Sequence, residues 1–238
     1  MKTRFFGPLL GMALVTSSLA SQAAEVTLTG WAFGNGNTVQ ATGLGLQAGS
    51  YNGPAGGFRG TLAAAGLFNT TSFLTYCIEL EESFYFSTGA MRGYSIVDGS
   101  SYFQDRRALN ANRPDGTLVA QRLGQLVSWA ANDATRVDSA AESTAMQLAV
   151  WNIVYDSDWS AAPATAAAMF TDLSSYAVGA TQMLQAASTT TNRYEVYALT
   201  RSGKQDFLLA TLRVPEPGSI ALVGAALAGL MLARRRCA

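Results

Sequence analysis

Two short stretches hold the side chains most able to do chemistry. Tyr76-Cys77-Ile78-Glu79 puts a thiol in the middle of an expected strand, and Met146-Gln147-Leu148-Ala149-Val150-Trp151 puts a carboxamide on an expected helix. The chain contains no histidine, which excludes a Ser-His-Asp triad, a Cys-His pair and the His-rich zinc sites of hydrolases. Other sets are made of carboxylates and aromatics. Strand alternation places Glu79 and Glu81, next to Glu82, on one face, as acid and base for a sugar or as a solvated strand end. Asp156 and Asp158, with Asp133 or Asp138, offer calcium-type oxygens or a helix-terminal turn. Arg106-Arg107 reads as a solvated charge pair. Tyr94, Tyr102 and Phe103 suit a carbohydrate-stacking surface or core packing equally. None of these sets calls for a metal or cofactor.

The elements that position these residues follow from periodicity. Glu25 to Phe33 alternates, and Phe58 to Phe68 and Ser72 to Phe86 carry aromatic and β-branched residues at strand spacing. Gly34 to Gly57 is rich in Gly, Asn and Ser, which predicts loops or short strands. From Thr117 to Ala130 the period changes to helical, with Thr117 as the expected cap after Pro114-Asp115-Gly116. Ser143 to Tyr155 repeats the helical pattern. Ala161 to Ala187 predicts one or two further helices broken near Gly179. Arg193 to Thr200 and Asp206 to Arg213 form an expected hairpin around Arg201-Ser202-Gly203-Lys204. The fold class expected is α+β: an antiparallel sheet or sandwich body with a helical insertion.

The two ends report destination. Lys2 and Arg4 precede a mostly apolar run, Phe5 to Leu19, and Ser21-Gln22-Ala23 has the small residues of a cleavage site. This predicts a signal peptide over 1–23. At the other end, Pro215, Glu216 and Pro217 precede an apolar segment over 220–233, followed by Arg234, Arg235 and Arg236. As a helix the segment rises about 21 Å against a bilayer core of about 30 Å, so it reads as a temporary single transmembrane anchor. The arginines bias that end toward the cytoplasm. The order and spacing of these parts resemble the PEP-CTERM sorting signal, here over 214–238. That resemblance implies processing by an exosortase in a Gram-negative bacterium. The protein is then anchored transiently in the inner membrane and released to the cell surface or beyond.

The exported body, 24–213, is roughly 190 residues, enough for one large domain or two small ones. Sixteen basic and sixteen acidic residues balance, so no electrostatic case exists for nucleic acid. Cys237 lies past the arginines on the expected cytoplasmic side, which leaves Cys77 unpaired in an oxidising compartment. The aromatic-Cys-apolar and apolar-Gln-x-x-apolar-apolar motifs resemble the thioester domain of bacterial surface adhesins. By that resemblance Cys77 and Gln147 are the residues joined, the thiolate attacking the carboxamide carbon and expelling ammonia. A surface amine or hydroxyl, or an exopolysaccharide, would then be captured covalently by a single-use clamp that does not turn over. The alternatives are a small buried cysteine and a helix-edge glutamine, in a non-covalent binding or structural component of an extracellular polysaccharide matrix, and more remotely a glycan-acting enzyme.

Overall fold

The computed structural model describes residues 22–43, 49–65, 68–83, 86, 90–156, 158–161 and 170–213. Of the expected signal peptide over 1–23, residues 1–21 lie outside the described residues and Gln22 and Ala23 open the first strand; the sorting segment over 214–238, with the expected transmembrane helix, also lies outside them. Among the described residues, no helix is long and apolar enough to cross a membrane.

The body is α+β. Strand β1 (Gln22–Trp31) alternates as the sequence predicts, with Val26 and Leu28 buried and Thr27 and Thr29 facing outward. Its first residues, Gln22 and Ala23, pair with Ile96 and Ser95 of β6 (Met91–Asp98). Strands β4 (Phe58–Ala64) and β5 (Thr70–Thr75) follow on one side of β1. On the other side, β6 leads to β8 (Tyr194–Arg201) and β9 (Lys204–Leu212). The six-stranded sheet is antiparallel in every pairing, in the order β5-β4-β1-β6-β8-β9. A smaller sheet contains β2 (Asn37–Thr42), β3 (Ser50–Ala55) and the two-residue β7 (Thr171–Asp172). The β8–β9 hairpin turns at Gly203, whose φ of 71° is the left-handed conformation that glycine adopts without strain.

The two outer strands of the large sheet meet beyond the end of β5. Thr75 Oγ1 donates to the Leu208 carbonyl (2.7 Å), Leu208 N–H to the Tyr76 carbonyl (2.9 Å) and Ile78 N–H to the Asp206 carbonyl (3.1 Å). Cys77 thereby sits opposite Phe207 in an isolated antiparallel bridge. The expected strand from Ser72 to Phe86 ends at Thr75, because beyond it the chain leaves β4 to close the sheet onto β9.

Four helices complete the body: α1 (Gly99–Leu109), α2 (Gly116–Ala131), α3 (Ala140–Tyr155) and α4 (Tyr176–Ser188). Helix α1 was not predicted, and the cap of α2 is Asp115, whose carboxylate accepts from the N–H groups of Thr117 and Leu118. Helix α4 continues through Gly179, where the sequence predicted a break. A Cβ at Gly179 would sit 3.4 Å from that of Ala145 on α3, so the glycine permits a close helix–helix approach. Helix α3 is the central element, buried along its whole length from Ser143 to Tyr155. A helix apolar on every side belongs in the middle of a domain.

Candidate functional site

Helix α3 delivers Gln147 to the centre of the protein. Ser139 and Glu142 form a reciprocal capping box at its start. One turn on, Ser143 Oγ accepts from Gly57 N–H (2.8 Å) and Thr144 Oγ1 reaches the Ala55 carbonyl (2.9 Å). These contacts fix the helix to the connection between β3 and β4.

Cys77 arrives from the opposite side. Its neighbours Tyr76 and Ile78 spend their hydrogen bonds on β9, so the N–H and C=O of Cys77 itself face away from that strand. Gln147 answers both. Cys77 N–H donates to Gln147 Oε1 at 2.9 Å, and Gln147 Nε2 donates to the Cys77 carbonyl at 2.8 Å. The carboxamide thus takes the place a neighbouring strand residue would occupy. Gln147 is 1 % exposed and Cys77 6 %. The structure brings together the two residues that the sequence singled out.

Both line a cavity of about 330 Å³ walled by Trp31, Tyr51, Phe58, Phe86 and Trp151. The rings brace one another: Trp31 lies 4.8 Å from Phe58, and Trp151 meets Tyr51 edge-on at 5.2 Å. Burial, and secondly the Glu79 carboxylate, push the Cys77 thiol well above its ordinary range. Burial and then Cys77 raise the Tyr51 phenol to about 12. The thiol is therefore neutral at physiological pH, and any attack by sulfur must dispose of its proton. In return the site supplies fixed geometry, and the Cys77 N–H on the carboxamide oxygen is a donor already aimed where negative charge would develop.

The acidic residues after Cys77 are not a solvated strand end. Glu79 is 1 % exposed. Its Oε1 accepts from Asp206 N–H (2.8 Å) and its Oε2 from Arg106 Nη2 (2.8 Å). The same guanidinium nitrogen reaches Asp206 Oδ2 at 2.7 Å, and Tyr102 donates to that oxygen at 2.8 Å. Gln205 Nε2 donates to the Glu79 carbonyl (2.9 Å). Two buried carboxylates share one arginine, and together they lock the segment after Cys77 onto β9. Arg106 is thus half of no solvated pair with Arg107, which instead meets Asp115 at the surface. Glu81 turns the other way, to Arg113 and the Tyr155 hydroxyl, and Glu82 accepts from Gly203 N–H. Acid–base work by Glu79 and Glu81 on a sugar has no geometric basis, since the two point into separate networks.

The remaining sets also resolve into structural roles. Tyr94, Tyr102 and Phe103 are buried and form no stacking surface. Asp156 accepts from Phe170 N–H, Asp158 from Ser160 N–H and Asp133 from Thr135 N–H, while Asp138 N–H donates to Glu142. Among the described residues no cluster of three possible metal ligands forms. From the sequence Arg106 is expected in a solvated pair and Asp206 only as the start of a strand; the one available signal of their clamp is Glu79, two residues from Cys77.

Burial first, and the Asp206 carboxylate second, raise the Glu79 carboxyl to about 8, with Arg106 pulling the other way. The unfolded chain releases this proton near the ordinary value of 4.5. Between these two values the folded state holds a proton the unfolded state has lost, so Glu79's contribution is greatest below pH 4.5 and falls as pH rises toward 8. Melting temperature is therefore expected to decline across this window, by on the order of a few kcal/mol of stability. Glu79→Gln is expected to flatten the decline; an equally steep profile in the variant would refute the assignment.

Residues 213–236 match the model of the PEP-CTERM protein-sorting motif. The match falls on Pro215-Glu216-Pro217, the apolar run and the arginines. The chain therefore carries an export and sorting signal of the kind that exosortase processes, and its destination is the cell surface or the extracellular space. No curated protein matches the chain. Among solved structures it is similar to the N-terminal thioester domain of a surface protein from Clostridium perfringens, in a cysteine-to-alanine mutant. The TM-score is 0.42 and the identity 15 %, covering 74 % of this chain and 99 % of that one. The family match falls on the sorting part of the resemblance drawn from the residues. At that likeness the neighbour says nothing of mechanism or ligand, which rest on this chain's own side chains.

Proposed function

We propose that the exported body forms an internal thioester between Cys77 Sγ and Gln147 Cδ and uses it once, to attach the protein covalently to a surface or matrix partner. Before processing, the apolar 220–233 segment and Arg234, Arg235 and Arg236 hold the tail at the inner membrane, and exosortase then frees the body outside. The observation that carries the thioester reading is the two-bond pairing of the Gln147 carboxamide with the main chain of Cys77, inside an aromatic cavity.

The chemistry balances without an outside reagent. Cys77 Sγ attacks Gln147 Cδ, and the carbonyl π pair moves to Oε1, where the Cys77 N–H receives it. The π bond then re-forms, the C–N bond breaks, and nitrogen leaves as ammonia carrying the thiol proton. In the second stage a partner's amine or hydroxyl attacks the same carbon, and Cys77 leaves and takes up the proton. Near-attack positioning of this kind supplies roughly 7–11 kcal/mol of a barrier, and the aromatic walls slow hydrolysis by excluding water.

Intact mass tests the reading. The purified exported protein is expected to be lighter than its sequence by one ammonia, with Cys77 protected from alkylation until methylamine opens the bond. Full mass together with a freely alkylated Cys77 in the unfolded protein would sink the proposal and leave a non-covalent matrix role.

A further inference from the structure

We infer that Trp151 is a second catalytic hydrogen-bond donor of this site, its indole N–H joining the Cys77 N–H on the oxygen of Gln147 as the carboxamide carbon becomes tetrahedral. The inference rests on the thioester reading above. Trp151 is 2 % exposed, and its Nε1–H has no hydrogen-bond partner. An unmade hydrogen bond to a buried donor is costly, and native structures hold few of them. This donor belongs to a residue lining the same cavity as Cys77 and Gln147. Trp151 follows Gln147 by one helical turn on α3, which places both on one face. Side chains on a helix lean toward its N-terminus, so the indole leans back over the turn that carries Gln147. Tyr51 holds the ring edge-on at 5.2 Å.

In the amide state the oxygen of Gln147 accepts one hydrogen bond, from Cys77 N–H. When sulfur bonds to Cδ, the π pair localises on that oxygen and gives it capacity for a further donor. The same oxyanion forms when an amine opens the thioester, so the donor acts in both stages. No proton leaves the indole in either.

The test compares the full exported protein with Trp151→Phe and with a variant in which benzothienylalanine replaces Trp151, keeping the bicyclic shape but exchanging N–H for sulfur. Ammonia loss is followed by intact mass, thioester opening by thiol release in methylamine, and folding by melting temperature. The benzothienylalanine variant is expected to melt at or above the wild-type temperature, since an orphaned donor is removed, and Trp151→Phe somewhat below it, since the smaller ring leaves a cavity. Both are expected to form and open the thioester on the order of a hundredfold more slowly, the usual effect of losing one oxyanion donor. Wild-type rates in either folded variant would overturn the role of Trp151 while leaving the thioester intact. Wild-type protein that never loses ammonia would overturn the thioester itself, and this inference with it.

Discussion

Replacing Gln147 by glutamate is expected to abolish ammonia loss completely and to destabilise the body by about 3–5 kcal/mol. The substitution changes one atom of the side chain, but that atom is the nitrogen that donates to the Cys77 carbonyl. A carboxylate in its place sets two acceptors against each other at a position 1 % exposed, with no cation among the partners recorded there. Cys77→Ser is the informative contrast. Gln147 bonds to the main chain of Cys77, so the serine variant keeps both hydrogen bonds and is expected to fold within about 1 kcal/mol of wild type. It too is expected to retain full mass, because a buried hydroxyl is a far poorer nucleophile than a thiol. Chemical denaturation of the two variants with intact mass alongside separates the structural role of Gln147 from the chemical role of Cys77. A stable, fully folded Gln147→Glu protein would show that the pairing does not hold the site.

The second large effect is expected from Arg106→Met. The guanidinium bridges Glu79 and Asp206 at 2.8 and 2.7 Å, and both carboxylates are almost wholly buried. Removing the cation leaves the Asp206 carboxylate buried beside Glu79 with no compensating charge, a loss of about 3–5 kcal/mol near neutral pH. In a domain of this size that lowers the melting temperature by roughly 10 °C. The deficit is expected to widen as pH rises through about 8, where Glu79 gives up its proton beside Asp206 and only the arginine offsets the second charge. Thioester yield is expected to fall with stability, since this network keeps Cys77 in register with Phe207. A deficit that does not grow between pH 7 and pH 9 would contradict the charge argument.

What was legible in the sequence had a local signature. Val26 and Leu28 alternate, and Arg201-Ser202-Gly203-Lys204 spells a hairpin. Gln147 and Cys77 each sit in a short recognisable motif, and the structure places them in contact. What was hidden depended on partners far along the chain. Helix α1 has a short buried face, Tyr102 and Phe103 amid Ser, Gln, Asp and Arg, so its period is faint. Gly179 looked like a helix breaker because sequence shows the missing side chain and not Ala145, the neighbour on α3 against which the helix packs closely. The clamp on Glu79 draws on residues 27 and 127 positions away, a pairing that no spacing rule can foresee. Trp151 is a core aromatic, and the feature that sets it apart, its unpaired N–H, leaves no mark on the sequence.

The two hydrogen bonds between Cys77 and Gln147 differ in their fate. One uses the carboxamide oxygen, which persists through acyl transfer; the other uses the nitrogen, which departs. Among the described residues no other donor reaches the Cys77 carbonyl, so in the proposed acyl form that buried oxygen would lack a partner, at a cost of about 1–3 kcal/mol. Ammonia, the nucleophile of the reverse step, would relieve it, because its attack restores the original side chain and its donor.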